Sequence, residues 1–131
     1  MLKTRSILAP FSPEDGLRIS IMSRHTLEDG KTPNPEIQDN LYEEWWPELA
    51  PPPRLIGAYY RRDLPWPEFE DGYKNHLDTS TASERISELI DLSMAGVVTV
   101  LCIEEVPDHC HRRLLVEECA IREPRLEIEI K

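Results

Sequence analysis

This 131-residue chain lacks the long apolar segment that a membrane-spanning helix requires. Its longest uncharged apolar run, residues 94–103, falls well short of the ~20 residues needed to cross a bilayer. The cysteines number three, an odd count that does not suit a secreted disulfide scaffold. Lysine and arginine total 15 against 25 aspartate and glutamate, and the formal charge of -10 speaks against duplex nucleic-acid binding through a broad basic face.

Glycine is also scarce. The five glycines allow neither a GxGxxG fingerprint nor a P-loop, and the chain contains no GxSxG or HExxH motif. Residues 1–10 have no apolar stretch of the length that a signal peptide uses, which predicts a cytoplasmic protein without a membrane partner. The length suits one domain spanning residues 1–131, and an apolar fraction of 40% is enough for a globular core without disulfides.

Proline, by contrast, is abundant, with twelve residues concentrated in the first half. The pattern there predicts two strands paired across a turn, and then two short helices, at residues 7–9, 17–22, 40–49 and 54–62. A long polar segment at 24–40 separates the strands from the helices. Trp66, Phe69, Tyr73 and Leu77 mark one face of a third helix, and we expect these aromatic residues to belong to the core.

The second half carries longer and more regular elements. A capping box from Thr81 to Glu84 predicts a helix that ends at Gly96 in the left-handed conformation. The β-branched run at 97–102 is typical of a strand covered on both faces of a parallel sheet. Asp108 is predicted to cap a last helix, and alternation at 126–130 predicts a final strand. Strands joined by helices indicate an α/β fold, a small three-layer sandwich with a mostly parallel sheet.

Polar side chains able to do chemistry are concentrated in residues 102–113. Cys102 and Glu104 follow the predicted parallel strand at its carboxyl end, where open α/β sheets bind ligands. Cys110, His111 and Arg112 are expected in the first turn of the next helix, where free N–H groups favour anions. If the strand at 17–22 is a parallel neighbour, Arg24 and His25 share the same edge.

Three interpretations of this stretch stay open. Cys102 or Cys110 could be a thiolate in an anion pocket, although neither is followed six residues later by the arginine of a cysteine-phosphatase loop. The cysteines, Glu104 and a histidine have the ligand types of a zinc site, but there is no Cys-x-x-Cys, and His109, Cys110 and His111 are too close in sequence to converge all together. The third interpretation is structural, with Cys102 in the core and Arg112 paired with a glutamate.

Four segments of the chain resemble domain-of-unknown-function family 488, small bacterial and archaeal proteins. They are the strand entry EDGLRI, the ELAP segment after Trp45 and Trp46, the aromatic helix at 66–77, and residues 97–115 with their Cys-His-Arg triplet. The resemblance implies a compact α/β fold and draws attention to the Cys102–Arg112 stretch, without supplying an activity. Where relatives often carry a Trp-Pro-Arg-Gly-like loop after the strand-end arginine, this chain has residues 25–30 instead. Some relatives also lack the triplet.

We therefore predict a pocket for a small anionic ligand, nucleotide-like or phosphorylated, at this sheet edge, and leave open whether the ligand is also a substrate. The catalytic candidates are Cys102, Glu104 and Cys110, with Glu104 as general acid or base. The ligand-binding candidates are Arg24, His111 and Arg112. No metal and no cofactor are included in this prediction, and the oligomeric state is left undetermined. The alternative is a non-enzymatic interaction module that uses the tryptophan- and proline-rich segment 45–67.

Overall fold

A single sheet of five parallel strands organises the chain, in a computed structural model that describes residues 1–27 and 29–131. The strands are β1 (Leu2–Ser6), β2 (Leu17–Ser20), β3 (Glu44–Trp45), β4 (Val98–Cys102) and β5 (Ile128–Ile130), in the order β3-β2-β4-β1-β5. Every residue of the β-branched β4 is buried, as expected of a central parallel strand. The predicted α/β class and parallel sheet are confirmed.

The α-helices supply the core on one face of the sheet. They are α1 (Pro53–Arg61), α2 (Trp66–Leu77), α3 (Ser80–Ala95) and α4 (His111–Arg122), and each predicted helix at these places is confirmed. Their apolar faces join the sheet in one cluster, which includes Ile19, Val100, Tyr73, Ile86 and Leu115. Among the described residues, no helix combines the length and hydropathy needed to cross a membrane.

Turns and loops, rather than α-helices, cover the opposite face. A smaller apolar cluster there is built from Ile7, Ile37 and Leu101. Beside it the fully buried guanidinium of Arg18 donates to Asp15 at 2.6 Å and to the Leu41 carbonyl oxygen at 2.7 Å. The buried cation therefore has an acidic partner and a carbonyl acceptor, as a buried charge requires.

The predictions for the proline-rich half are partly wrong. The first strand is β1 rather than residues 7–9, and it forms no hairpin with β2, because β1 and β2 pair with opposite edges of β4. Residues 40–49 form no α-helix. They contain two short 3-10 turns on either side of β3, since Glu44–Trp45 pairs with β2 and Pro47 cannot continue a helix from Trp46.

Three predicted helix ends are also corrected. Helix α3 is capped by Thr79, whose hydroxyl accepts from the Ala82 N–H, and not by a box at Thr81. Gly96 ends it in an extended conformation (φ -168°), not a left-handed one. Helix α4 starts after Cys110 and not after Asp108, because a turn in which the Cys110 N–H donates to the Pro107 carbonyl oxygen intervenes.

Candidate functional site

The carboxyl ends of β2 and β4 lie side by side, as the sequence predicted for two parallel neighbours. A cavity of about 890 Å³ opens beside this edge, which is within the size range of small-molecule sites. Its lining includes five residues singled out from the sequence: Arg24, Cys102, Glu104, Cys110 and His111.

Three side chains converge in this cavity: Cys102, Cys110 and His111, called here the thiol–imidazole cluster. One ligand atom from each lies within 4.8 Å of the other two, and the Cys102 Sγ to His111 Nδ1 distance is 3.7 Å. All three residues are buried, with exposed fractions of 5%, 2% and 8%. The end of strand β4 positions Cys102, while the start of α4 positions the other two.

The backbone orients the imidazole of the cluster. His111 Nε2 lies 2.8 Å from the carbonyl oxygen of Ile21, which continues from strand β2. Because a carbonyl oxygen only accepts, Nε2 is the donor and carries the hydrogen. In the neutral ring Nδ1 then has a free lone pair, directed towards the Cys102 thiol. The ring edge of His111 also meets the Tyr73 ring at a centroid distance of 5.4 Å.

The two thiols of the cluster differ in acidity. The Cys102 side chain stabilises a Cys110 thiolate, and the Arg112 backbone N–H adds to this, so the pKa of Cys110 is lowered despite burial. The pKa of Cys102 is raised, because its proton is held by the Cys110 thiolate and its side chain is buried. The N-cap position of Cys110 on a helix of 12 residues works in the same direction.

Glu104 extends the polar part of the cavity. Its Oε1 accepts a hydrogen bond of 2.7 Å from the Tyr60 hydroxyl, which reaches across from helix α1. Desolvation of its hydroxyl and the hydrogen bond to the carboxylate raise the pKa of Tyr60, and the neighbouring cysteines add to that effect. Tyr60 therefore remains a neutral donor and holds Glu104 close to the thiol–imidazole cluster.

Arg112 lies elsewhere than the other candidates. Its guanidinium is fully buried and does not belong to the cavity lining. It donates to the carbonyl oxygens of Glu104 at 2.6 Å and Lys131 at 3.1 Å, with a longer contact of 3.4 Å to that of Glu105. These bonds tie the loop after β4 to the chain end beyond β5. In this position Arg112 stabilises the loop that carries Glu104 and does not face a ligand in the cavity.

Arg24 is the sequence-predicted cation that does belong to the cavity lining. It lies on the rim formed by the segment after β2. Its guanidinium lies against Gly30, in the space that a Cβ on this residue would need, and Gly30 has a positive φ of 71°. His25 follows Arg24 but does not belong to the cavity lining. Its Nε2 lies 2.7 Å from the Ser20 hydroxyl, and its ring contacts those of Tyr42 and Trp45. Glu28, within the segment 25–30 considered above, lies outside the described residues.

An aromatic wall completes the cavity, and sequence reasoning did not assign it to the site. It consists of Tyr59, Tyr60, Trp66 and Phe69. Trp66 stacks on Phe69 at 5.1 Å and on His109 at 4.7 Å between ring centroids. Phe69 and Tyr73 are buried, as expected for core residues, yet Phe69 also faces the cavity. Helical spacing shows that such residues share a face but not that the face borders a cavity.

The two tryptophans considered as an interaction surface are in different environments. Trp45 is 43% exposed, and its indole N–H donates to the Met22 carbonyl oxygen. Trp46 is 3% exposed and belongs to the core, with the Arg85 guanidinium 4.5 Å from its ring centroid. The pair does not form one exposed aromatic patch.

The family resemblance is confirmed by comparison with known families. A family model described as "Active DUF488-N3 subclade" matches residues 2–122, which include every residue of the cavity lining. Neither the curated proteins nor the solved structures include a significant match to the chain.

Proposed function

Because the chain belongs to the DUF488 family, within a subclade described as active, we propose that it is an enzyme acting on a small anionic, nucleotide-like compound bound in this cavity. The observation that carries the proposal is the composition of the lining. Four aromatic rings, two arginines and a group of reactive side chains line one space large enough for such a ligand.

The aromatic wall favours a ligand with a planar ring. Tyr60 is 60% exposed and lies in the cavity lining beside Trp66. Stacking on aromatic side chains contributes about 1–3 kcal/mol for each base. Such stacking does not depend on the identity of the base. The wall therefore supports a ring-containing compound without selecting one nucleobase.

The two arginines in the lining favour an anionic group on that ligand. Arg24 and Arg61 both belong to the lining of a protein whose formal charge is -10. An arginine guanidinium binds phosphate or carboxylate through two parallel hydrogen bonds, which makes it a strong local attractor in an acidic protein. We assign the anionic group of the ligand to the Arg24 side of the cavity.

Glu104 is suited to move a proton for the bound compound. Its carboxylate lies in the lining, held by the Tyr60 hydroxyl and near the thiol–imidazole cluster. A carboxylate within reach of the ligand is a general acid–base group of the ordinary kind. The sulfur atoms of Cys102 and Cys110 are the other reactive atoms of the cavity. They serve either as nucleophiles or as ligands of a bound Lewis acid.

The proposal is tested by isothermal titration calorimetry of the protein with mononucleotides. The matching nucleosides and inorganic phosphate are the comparison ligands. We expect mononucleotides to bind more tightly than either part alone. Arg24→Ala should weaken mononucleotide binding about tenfold, because one charge-assisted contact is lost. Tyr60→Ala, at a 60% exposed position, should weaken the nucleoside as well.

The control is Arg125→Ala, which removes a 79% exposed guanidinium that is not in the cavity lining. It should leave the affinity unchanged. If no mononucleotide binds at millimolar concentration, or if Arg24→Ala binds as well as the unaltered protein, the assignment of an anionic nucleotide-like ligand is wrong.

A further inference from the structure

We propose that Cys102, Cys110 and His111 together bind one zinc ion, with a fourth coordination position open to the cavity. The inference depends on the geometry of the thiol–imidazole cluster and not on the nucleotide-like ligand. It adds to the proposed function the identity of the group that polarises the substrate or a bound water.

The distances in the cluster fit a tetrahedral ion. Bond lengths of about 2.3 Å to sulfur and 2.0–2.1 Å to nitrogen place a sulfur and a nitrogen ligand about 3.6 Å apart, and two sulfurs about 3.8 Å apart. The Cys102 Sγ to His111 Nδ1 distance is 3.7 Å, and all three ligand atoms lie within 4.8 Å of one another. The largest separation in the cluster therefore exceeds the tetrahedral value by at most about 1 Å.

The histidine is already oriented as a metal ligand. Ligating histidines almost always donate their other ring N–H to a carbonyl or carboxylate, which selects the tautomer and holds the ring. The hydrogen bond of His111 Nε2 to the Ile21 carbonyl oxygen, at 2.8 Å, supplies this interaction. It leaves the Nδ1 lone pair facing the thiol side of the cluster.

The charge balance also favours a divalent cation. Two thiolates and a neutral imidazole carry a charge of -2, which a zinc ion neutralises, whereas uncompensated charges are costly in a buried position. Arg112, the nearest guanidinium in sequence, does not serve this purpose, because it is committed to carbonyl oxygens behind the site. A metal ion would let both thiolates exist together at neutral pH.

The location of the cluster indicates a site with an open position. Structural zinc sites have four protein ligands, while catalytic sites have three and leave the fourth position to water or substrate. In the described part of the chain, the only group of three or more potential ligands that converges is this one. Since the three side chains also line the cavity, the fourth position is accessible to a small molecule.

The test measures metal content in the full chain purified without added chelator, then after exposure to excess Zn²⁺ and removal of unbound ion. We expect about one zinc per chain, retained on gel filtration. Replacement by Co²⁺ should give the visible bands of tetrahedral cobalt together with sulfur-to-cobalt charge-transfer bands. Those bands report thiolate ligation directly and do not arise from a folding effect.

Three variants and a control assign the ligands. Cys102→Ser, Cys110→Ser and His111→Gln should each bind zinc at least about tenfold more weakly and should change the cobalt spectrum. Cys119→Ala alters a buried cysteine outside the cluster and should keep both zinc content and spectrum. Circular dichroism confirms that each variant is folded before the metal is measured.

A protein that retains less than about one tenth of an equivalent of zinc after loading, with no charge-transfer band from cobalt, overturns the proposal. The same is true if Cys119→Ala loses the metal as fully as the cluster variants. Neither result depends on nucleotide binding, so the zinc site and the nucleotide-like ligand can fail independently.

Discussion

The two ends of helix α4 each hold a buried cysteine, and the two cysteines have opposite surroundings. Cys119, near the carboxyl end, is fully buried in the main core, and burial raises its pKa to about 12. Cys110, at the amino end, is 2% exposed, but it lies beside Cys102 and His111 at a cavity. Residue type and exposed fraction are nearly equal, so the neighbours determine which thiol can do chemistry.

Alkylation should give the largest contrast between the two ends. With iodoacetamide at pH 7.5 and a chelator present, we expect Cys110 to react at least about tenfold faster than after loading with Zn²⁺, because metal-bound thiolates are masked. Cys119 should react at one slow rate under both conditions, since it is enclosed in the core. Peptide mass spectrometry measures each rate. Equal effects of zinc on Cys110 and Cys119 would contradict the distinction between the two ends of the helix.

For stability we expect the opposite order, with the larger effect at Cys119 and the smaller one at Cys110. Cys119→Ala removes a sulfur from a close-packed core and should lower the free energy of unfolding by about 1–2 kcal/mol. Cys110→Ala, measured without metal, should lower the free energy of unfolding less, because Cys110 lines a cavity and does not belong to the main core cluster. Urea titration of both variants in the presence of a chelator makes the comparison. A larger loss for Cys110→Ala would mean that its end of the helix is the better packed one.

The smallest expected effect is on the stability at acidic pH. It depends on Asp15, outside helix α4, and so provides a reference for both ends of that helix. Burial opposes ionisation of Asp15, but hydrogen bonds from Arg18 and Arg5 outweigh it and hold the pKa below its ordinary value of 3.8. A lowered pKa in the folded state stabilises the protein above pH 3.8, and this contribution is lost as the pH falls further. Cys110→Ala and Cys119→Ala should therefore show the same decline in stability below pH 4 as the unaltered chain. Asp15→Asn should show a shallower decline, measured by urea unfolding from pH 5 to 3.

Some parts of the fold could be predicted because their signal is local. The apolar run of β4, the helix-forming segments after residue 53 and the likeness to DUF488 are all patterns within short windows. The strands of the proline-rich half could not be predicted in this way. Residues 44–45 become a strand only because β2 offers an unpaired edge, and β1 and β2 are separated by β4, which arrives about 80 residues later.

The candidate site shows the same division. Because Cys102, Glu104 and Arg24 follow the ends of predicted strands, the sequence predicts that they lie at one edge of the sheet. The structure places all three in the lining of one cavity. The aromatic wall was missed, since helical periodicity reports a shared face and not what that face borders. Arg112 was expected to face a ligand, but carbonyl oxygens from two distant segments surround it instead.

For this chain, then, residue order alone was enough to establish the α/β class, the family and the strand end at which polar groups gather, because these depend on propensity, alternation and short motifs. The convergence of Cys102, Cys110 and His111 was decided by the packing of β2, β4 and α4 against one another. The sequence supplied the ligand types of a zinc site, but a spacing without a Cys-x-x-Cys motif did not indicate that these three residues meet. Side-chain direction in three dimensions comes from the contacts of whole elements. In this molecule the carbonyl oxygen of Ile21, the residue after β2, determines which nitrogen of a helix histidine faces the thiols.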